Sequence, residues 1–489
     1  AVRHNIDLYN DTQLEKLIRK VAERHEVGTS VVAATLAELT EQLETYRLQK
    51  IQEEEANSAP KVKILNPDEI EAAQAFLSKP NLLERTNELI GQSGVIGEGV
   101  NRLLMYLIFT SRKLPNPLHI VSLGASGTGK THLQEKVGDL IPQEDKLEIT
   151  VLSENAFYYF GQRELKHKLI LIEDLDGAEN ALYPLRELQT KKRISKTVAH
   201  KNSRGETKTV HLVVEGPLSV AGCTTREQIY EDNANRSFLI YLDESKEQDE
   251  RIMNYQRAAS AGRVNKEAER KAAKILSNAQ RVLEPILVVN PFAELLKLPA
   301  EIFKPRRTNG HYLQFIEVVT FYNQYQREKK ADEDTGEIYI ETTLEDIAEA
   351  NRLMKQVLIR KSDELTGACR NYLESIKAYL QNENKTKFTN REVRKALKVN
   401  ESNQKRWTLS LLYNYYIKRV KGTKSKGYEY EITGYQEYQK LQEQIGNVLD
   451  ETLESLRNAV EKETVGKRSS VVQKKNEPRK QKKVKAVAQ

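Results

Sequence analysis

The chain has 489 residues, 39% of them hydrophobic and 30% charged, with a net charge of +7 at pH 7. At about 150 residues per domain, this length predicts about three domains with apolar cores. No run of about 18 apolar residues occurs, which argues against a membrane span. The two distant cysteines, Cys223 and Cys369, exclude a disulfide framework, and with eight scattered histidines they disfavour structural zinc. Without a signal peptide the expected compartment is the cytoplasm, and the start at Ala1 suggests a fragment or a processed chain.

Helical periodicity dominates the first quarter of the chain. Apolar residues at helical spacing predict a helical region over residues 1–60, with a long helix over 29–56, and a helical collar over 61–117. In the collar, Leu103, Leu104, Leu107 and Ile108 mark a buried face. Helix is expected again over residues 245–360, and a helical lid is expected over residues 261–362.

The pattern changes to alternating strands and helices after Pro117. Short apolar runs predict strands at 119–123, 147–152, 168–172, 217–222 and 237–242, with helical stretches between them. Strands that alternate with helices favour an α/β fold with a mostly parallel sheet, here over residues 118–260.

A phosphate-binding loop is the most specific motif in the sequence. GASGTGKT, residues 124–131, fits the pattern G-x-x-x-x-G-K-[ST] between an apolar strand and a helix. Glycines let backbone N–H groups wrap phosphates, the lysine reaches the β- and γ-phosphates, and the threonine can hold Mg²⁺. The residues expected to bind ATP are Gly124, Ser126, Gly127, Thr128, Gly129, Lys130, Thr131 and His132.

An acidic pair follows the strand LILI at residues 169–172. Glu173 and Asp174 stand at the carboxyl end of this buried strand, where open parallel sheets place ligand chemistry. One carboxylate would orient Mg²⁺ together with Thr131, and the other would polarise the attacking water. The usual order, Asp then Glu, is reversed here, and we assign Glu173 to the metal and Asp174 to the base.

A basic hairpin precedes the next core strand. Residues 191–208 carry seven basic side chains and one acid, and two strand-like arms flank the turn NSRG at 202–205. The tip can contact nucleic-acid phosphates, although a solvated surface hairpin is the alternative. The strand after it ends near Thr224, a polar residue that could sense the γ-phosphate, and Arg236 stands immediately before the last strand.

This order of motifs resembles the AAA+ motor of minichromosome-maintenance (MCM) helicases, in the branch with a pre-sensor hairpin. The resemblance implies that Arg236 is the finger that completes a neighbour's ATP site. It also implies that the hairpin, with Lys201, Arg204 and Lys208, moves DNA. The lid arginine of the family, called sensor 2, is replaced here by His311, and Arg306 or Arg307 could substitute for it.

One subgroup resembles this chain more closely. Residues 81–87 (NLLERTN), 153–160 (SENAFYYF) and 311–328 look like the helicase half of primase-helicases on bacterial mobile elements. Residues 1–57 resemble the joint that follows the primase in that subgroup. The resemblance covers about residues 1–435 and implies that the primase lies outside this chain.

The C-terminal part predicts a small DNA reader over residues 363–434. Thr389 and Glu392 form a capping box that opens a helix at 390–397. A second helix is expected with Lys405 and Arg406 on one face and an apolar stripe of Leu409, Leu412, Tyr416 and Val420 on the other. A basic hairpin with Lys424 and Lys426 follows, so the unit resembles a winged helix that binds DNA, although winged helices also act as protein contacts. Trp407 is expected in the core.

Residues 435–489 are expected to form an amphipathic helix near 435–463 and a basic, disordered tail. The tail residues 467–485 carry a net +8, residues 405–426 carry +7 and residues 191–208 carry +6, so the remainder of the chain carries −14. The basic segments therefore stand out from an acidic body.

Together these features and the resemblance predict a ring helicase, expected as a hexamer by resemblance only. It would use ATP and Mg²⁺, bind single-stranded or forked DNA, and work with a primase or other replication proteins of a mobile element. The first alternative is an AAA+ helicase loader or transposition regulator that hydrolyses ATP on DNA without unwinding it. The second is a non-enzymatic origin binder with an inactive ATP site.

Overall fold

The computed structural model describes residues 11–58, 63–178, 181–201, 207–226, 236–300, 302, 304–423 and 427–475. The chain divides into two compact units, one of residues 1–64 with 195–213 and one of residues 65–194 with 214–489.

Helices and strands alternate through the middle of the chain. The helices are α1 (Asp11–His25), α2 (Thr29–Ser58), α3 (Pro67–Ser78), α4 (Leu82–Gln92), α5 (Gly99–Thr110), α6 (Lys130–Gly138), α7 (Leu182–Lys191), α8 (Lys246–Ser260), α9 (Lys266–Val282), α10 (Pro305–Tyr322), α11 (Leu344–Ser362), α12 (Gly367–Asn382), α13 (Asn390–Leu397), α14 (Glu401–Tyr413) and α15 (Glu437–Lys475). The strands are β1 (Ile120–Leu123), β2 (Lys146–Ile149), β3 (Leu169–Ile172), β4 (Arg193–Lys201), β5 (Thr207–Glu215), β6 (Ser219–Thr224), β7 (Phe238–Tyr241), β8 (Leu287–Val289), β9 (Lys330–Ala331), β10 (Ile338–Glu341), β11 (Lys387–Thr389), β12 (Ile417–Thr423) and β13 (Gly427–Ile432).

The larger unit is built around a five-stranded parallel sheet. Its strand order is β2-β3-β6-β1-β7, so β1 lies between β6 and β7. The residues of β1, β3 and β6 are all buried, and β3 is accordingly a continuous apolar run in the sequence. Each of the five strands expected between residues 119 and 242 is present, although the limits differ by up to three residues.

Helix α5 lies in the main hydrophobic core. Its residues 103–110 are all buried, including the expected face of Leu103, Leu104, Leu107 and Ile108. The same core includes apolar side chains of β1, α6, α10, α11 and α15. A helix that is buried on nearly all sides is surrounded by other elements, and α5 holds the sheet against the lid.

The lid region contains a second sheet that the helical prediction missed. Strands β8, β10 and β9 form a three-stranded sheet in which β10 pairs parallel with β8 and antiparallel with β9. The prediction of helix over 245–360 was therefore wrong at these three strands, although α10 lies between β8 and β9 as a helix. These strands are only two to four residues long, which is too short to show a periodic pattern.

A C-terminal subdomain, formed by α12, α13, α14 and the antiparallel sheet β11-β13-β12, has its own core. Helix α13 spans the predicted residues, and the predicted Thr389–Glu392 capping box is present. The predicted stripe of the next helix was right for Tyr416, which is buried, and for Leu412, which packs against this core, but wrong for Leu409 and Val420. Leu409 is exposed, Val420 lies exposed in β12, and the buried positions of α14 are Gln404, Thr408 and Leu411. Trp407 is half-buried against Tyr372, with ring centroids 5.2 Å apart.

One arginine joins three segments of this region. Arg370 on α12 forms an ion pair with Asp363, with a nitrogen–oxygen distance of 2.6 Å and side chains only 2% and 1% exposed. Its guanidinium also lies over the rings of Tyr416 and Tyr438, 4.7 and 4.4 Å from their centroids. Arg370 therefore connects the segment after α11, the C-terminal subdomain and the start of α15.

Helix α15 packs on α11 through Ile445, Leu449, Leu453 and Leu456, which belong to the main core. The helix continues to Lys475, beyond the limit of 463 that the sequence predicts. Residues 467–475, expected in a disordered tail, are therefore helical, and residues 476–489 lie outside the described part of the chain.

The smaller unit contains α1, α2 and the outer part of a ribbon. Strands β4 and β5 pair with each other and with no other strand in the described residues. Both arms of the predicted basic hairpin are present, whereas its turn at 202–206 lies outside the described residues. Among the residues described, no helix has both the length and the apolar character that crossing a bilayer requires.

Buried His119, directly before β1, makes the stability of the sheet sensitive to acid. Its Nδ1 accepts the N–H of Val220 at 3.3 Å, and burial lowers the pKa of the imidazole to about 3. Between pH 6.5 and pH 3 the unfolded chain binds a proton at this histidine and the folded chain does not, so stability falls as pH falls. Relative to H119N, the wild-type protein should lose about 2 kcal/mol between about pH 7 and pH 5.

Urea unfolding at the two pH values measures this difference. H25N, which changes an exposed histidine on α1, should keep the pH dependence of the wild-type protein. Equal pH dependence in the wild-type protein and H119N would contradict the assignment.

Candidate nucleotide site

The phosphate loop connects β1 to α6 at the carboxyl edge of the sheet. Gly127 and Gly129 have φ angles of +84° and +90°, a conformation that residues with a Cβ rarely adopt. Gly129 is also the residue before α6. The free N–H groups of the first turn of α6 therefore face the loop, where they favour an anion.

Lys130 is held close to the loop. Its Nζ donates to the carbonyl oxygens of Gly124 and Ala125 at 2.8 and 2.5 Å, and the residue is 6% exposed. A cavity of about 370 Å³ lies beside it, lined by Ser126, Gly127, Gly129, Lys130, Thr131, His132, Glu173, Asp174, Cys223, Thr224 and Thr225. The structure thus brings most of the predicted ATP residues together with both acids. Thr128 belongs to the same loop, where its hydroxyl donates to Ala125.

The acidic pair directly follows β3, on the same edge. The carboxylates of Glu173 and Asp174 and the hydroxyl of Thr131 border one cavity. Hard oxygen donors of this kind, few in number, suit Mg²⁺, which usually completes its shell with phosphate oxygens and water. The donor set present therefore fits the ion that a phosphate loop implies. Asp174 also accepts the N–H of Asp176 at 2.9 Å.

A third carboxylate, Asp176, connects the acidic strand to β6. It accepts the hydroxyl of Thr224 at 2.6 Å, and the N–H and hydroxyl of Thr225 at 3.1 and 3.0 Å. Burial opposes ionisation of Asp176, but these hydrogen bonds outweigh it and lower the pKa of the carboxyl. Sequence reasoning missed Asp176, although its place two residues after the acidic pair was a signal. Thr224, the predicted sensor, lines the cavity with its hydroxyl bonded to Asp176.

Gln134 on α6 forms hydrogen bonds to both β3 and β6, the strands that precede the acidic pair and Thr225. Its Nε2 donates to the carbonyl of Ile172 at 3.0 Å, and its Oε1 accepts the thiol of Cys223. Burial raises the pKa of the Cys223 thiol to about 11. This cysteine is therefore a neutral donor beside the site and not a nucleophile.

Arg236 lies at the opposite edge of the sheet. It precedes β7, whose first residue, Phe238, pairs with the first residue of β1, and its Nε donates to Thr190 at 2.9 Å. The lid candidates are near this edge too. His311 stacks on Phe238 at 5.5 Å, and burial lowers the pKa of its imidazole. Arg306 and Arg307 are exposed in the first turn of α10. In the described part of the chain, none of these side chains lines the phosphate cavity.

The residues predicted to bind DNA are only partly described. Lys201 and Lys208 lie in β4 and β5, whereas Arg204, Lys424 and Lys426 lie outside the described residues. Lys405 and Arg406 are exposed on α14. Arg406, but not Lys405, lines a second cavity of about 1080 Å³ beside the phosphate loop.

Comparison with known proteins adds a family match to this geometry. Residues 68–285 match the model described as "MTBMA_p00010 P-loop domain", which spans less than half of the chain. No curated protein matches the chain. The match, the parallel sheet and the loop confirm the predicted fold class in its α/β architecture and its P-loop domain.

Three solved structures are similar to parts of this chain. A full-length MCM homolog from Methanopyrus kandleri is 14% identical over 61% of this chain and 63% of its own, with a TM-score of 0.37. A RuvB variant from Thermotoga maritima is 14% identical over 71% and 95%, with a TM-score of 0.25. The SCCmec type IV Cch helicase is 11% identical over 76% and 71%, with a TM-score of 0.26. The chain thus spans less than two thirds of the MCM homolog, and its function must be argued from its own site.

Proposed function

We propose that this chain is an ATP-driven DNA helicase of the AAA+, MCM-like type, a ring translocase that acts in the replication of a mobile genetic element. The observation that carries the proposal is the shared cavity at the carboxyl edge of the sheet. It is bordered by the phosphate loop, Lys130, the acidic pair and Thr224. Nucleotide hydrolysis is the chemistry that such an arrangement supports best.

In this proposal the loop and the first turn of α6 bind the phosphates of ATP. Lys130 exchanges the carbonyls of Gly124 and Ala125 for phosphate oxygens. Thr131 and Glu173 would hold Mg²⁺, which would supply positive charge to the phosphates. Asp174 orients the attacking water, and Thr224, positioned by Asp176, contacts the terminal phosphate.

Arg236 fits a role in a neighbouring subunit. Arg236 stands at the edge of the sheet opposite its own phosphate loop, and we propose that it reaches the nucleotide of a second copy and not its own. An arginine supplied in trans stabilises transition-state charge and makes hydrolysis depend on assembly. A hexameric ring is the state that we propose, with ATP between subunits.

The basic segments supply the proposed DNA contacts. Strands β4 and β5 have nine residues each, so the ribbon is about 30 Å long. Its segment carries +6 and the segment 405–426 carries +7, against a body of net negative charge. We propose that the ribbon moves one DNA strand through the ring, and that the C-terminal subdomain acts as a winged helix that holds duplex phosphates through Lys405, Lys424 and Lys426.

The triple variant K201A/R204A/K208A tests the ribbon. We expect DNA-stimulated ATP hydrolysis to fall at least about tenfold and basal hydrolysis to stay unchanged. The slope of log K for DNA binding against log salt concentration should become shallower by about 0.7 for each lost phosphate contact. The control is K16A/K20A/R24A, which removes the same charge from exposed positions of α1. An equal loss in both variants would contradict a specific role for the ribbon.

Strand displacement on a forked duplex decides between the proposal and its first alternative. A helicase separates the strands only with hydrolysable ATP, whereas a loader or transposition regulator hydrolyses ATP on DNA without displacing a strand. Imaging particles with and without nucleotide tests the ring. The second alternative, a non-enzymatic origin binder, predicts no ATP turnover in the wild-type protein. If the wild-type protein hydrolyses ATP, unchanged turnover in E173A or D174A would contradict the roles assigned to these two acids.

A further inference from the structure

A large cavity adjoins the phosphate cavity. It has a volume of about 1080 Å³, against about 370 Å³ for the phosphate cavity, and Ser126 and Thr225 line both. One side belongs to the motor and includes Gly124, Ala125 and the segment 244–247. The other side belongs to the C-terminal subdomain and includes Lys398, Asn403, Arg406 and Trp407.

The terminal phosphate of a bound nucleotide would face this larger cavity. A P-loop lysine reaches the β- and γ-phosphates, and Lys130 Nζ lies against the carbonyls of Gly124 and Ala125. Thr225, directly after β6, borders the same space. The γ-phosphate end of ATP is therefore the end nearest to Gly124, Ala125 and Ser126, which line the larger cavity.

The charges on the two sides differ in sign. The motor side contributes two acids and one base, Glu244, Glu247 and Lys246, and the carboxylate of Glu244 lies beside Gly124. Among the described residues, the C-terminal side contributes two bases, Lys398 and Arg406, and no acid. An anion that projects from the loop into this cavity is thus attracted by the charged side chains of the C-terminal subdomain and not by those of residues 244–247.

A close contact fixes the C-terminal subdomain beside the loop. A Cβ added to Gly367, the first residue of α12, would lie 2.1–2.6 Å from ring atoms of Tyr241 at the end of β7. The guanidinium of Arg360 lies over the same ring, 5.3 Å from its centroid. Only glycine allows α12 to approach β7 this closely, so the position of α14 across the cavity depends on this contact.

We propose that Arg406 binds the γ-phosphate of ATP in its own chain when the C-terminal subdomain closes on the cavity, so that α14 distinguishes ATP from ADP. This inference rests on the proposed ATP site and goes beyond it. It assigns Arg406 to nucleotide recognition, whereas the sequence assigned it to DNA. Hydrogen bonds between charged groups are strong enough to drive such a closure.

R406A and K395A in the full chain form the test. Both remove one positive charge from exposed positions of the C-terminal subdomain, Lys395 on α13 and Arg406 on α14, but only Arg406 lines the cavity. Calorimetry gives the dissociation constants of ADP and of a non-hydrolysable ATP analogue. We expect R406A to weaken analogue binding about tenfold or more and ADP binding less than about twofold, with partial recovery in R406K. K395A should match the wild-type protein for both ligands.

The outcomes separate this inference from the proposed function. Equal weakening of both ligands in R406A, or none, would overturn the role of Arg406 while leaving the ATPase intact. If the wild-type protein bound neither ligand, the proposed ATPase and this inference would fail together.

G367A tests the docking contact without altering a charge. Its methyl group would push α12 away from Tyr241. The variant should therefore also weaken binding of the ATP analogue more than binding of ADP, and it should change the emission of Trp407, the single tryptophan of the chain. Gly310→Ala is the control, because no atom lies within 4 Å of the added Cβ. Normal analogue affinity in G367A, despite a changed Trp407 emission, would overturn the proposed closure.

Discussion

K130A should lose at least about 100-fold in ATP turnover, because the lysine stands directly at the predicted phosphate position. In the structure its amino group is nearly buried and bonded to the loop carbonyls of Gly124 and Ala125. Phosphate oxygens are stronger acceptors for an ammonium group than these carbonyls. Steady-state hydrolysis measures turnover, and titration with ADP measures binding.

K136A is the matched control for this prediction. Lys136 lies on the same helix, α6, but does not line the phosphate cavity, and its removal should change turnover less than about twofold. Thermal melting shows whether both variants are folded. Turnover of K130A within about threefold of the wild-type value would contradict the nucleotide site.

R370A should destabilise the C-terminal subdomain by about 3–5 kcal/mol, since it leaves a buried carboxylate without its partner. Asp363 accepts two hydrogen bonds from Arg370, at 2.8 and 2.6 Å, and is almost completely buried. The variant also removes a guanidinium that lies over two tyrosine rings. Urea unfolding followed by the fluorescence of Trp407 reports on the subdomain in which the change is made.

R352A gives the corresponding value for an exposed pair. Arg352 and Glu349 are 2.7 Å apart but 49% and 41% exposed, so the loss should stay below about 1 kcal/mol. A second variant, R370M/D363L, removes both charges and should recover much of the stability. If R370A unfolded at the same urea concentration as R352A, the buried pair would not have the stabilising role assigned to it.

Local patterns made the motor predictable. The strand before the loop, the loop itself and the acidic strand are each a short run of consecutive residues. Each can therefore be recognised without knowing which elements become neighbours in the fold. A parallel sheet places the carboxyl ends of β1, β3 and β6 at one edge. The convergence of Lys130, Glu173 and Thr224 follows from that geometry once the strands are recognised.

The C-terminal helix shows why other predictions failed. The stripe through Tyr416 and Val420 assumed that the helix continues, but Tyr415 adopts a left-handed φ of +60° and the chain enters a strand at Ile417. Polar side chains also occupy buried positions of α14. Gln404 bonds the hydroxyl of Tyr372 and the carbonyl of Asn390. A pattern of hydrophobic residues cannot detect buried polar groups that are satisfied by distant partners.

The remaining features could not be predicted because they depend on contacts between elements that are far apart along the chain. The segment 405–426 shows its charge, but not that Arg406 lines the motor cavity while Lys405 does not. Strand β8 pairs with β10, from which helix α10 and strand β9 separate it along the chain. Asp176 gains its role only because β6 brings Thr224 and Thr225 beside it. Each of these facts depends on which elements become neighbours.

Strand β7 has a mechanical consequence for the proposed ring. Arg236 stands just before it, and its last residue, Tyr241, contacts Arg360 and the start of α12. Four paired residues span only about 13 Å and cannot stretch. In the proposed ring, these four residues would therefore be the covalent link between one subunit's contact with its own C-terminal subdomain and the arginine proposed to serve the adjacent subunit.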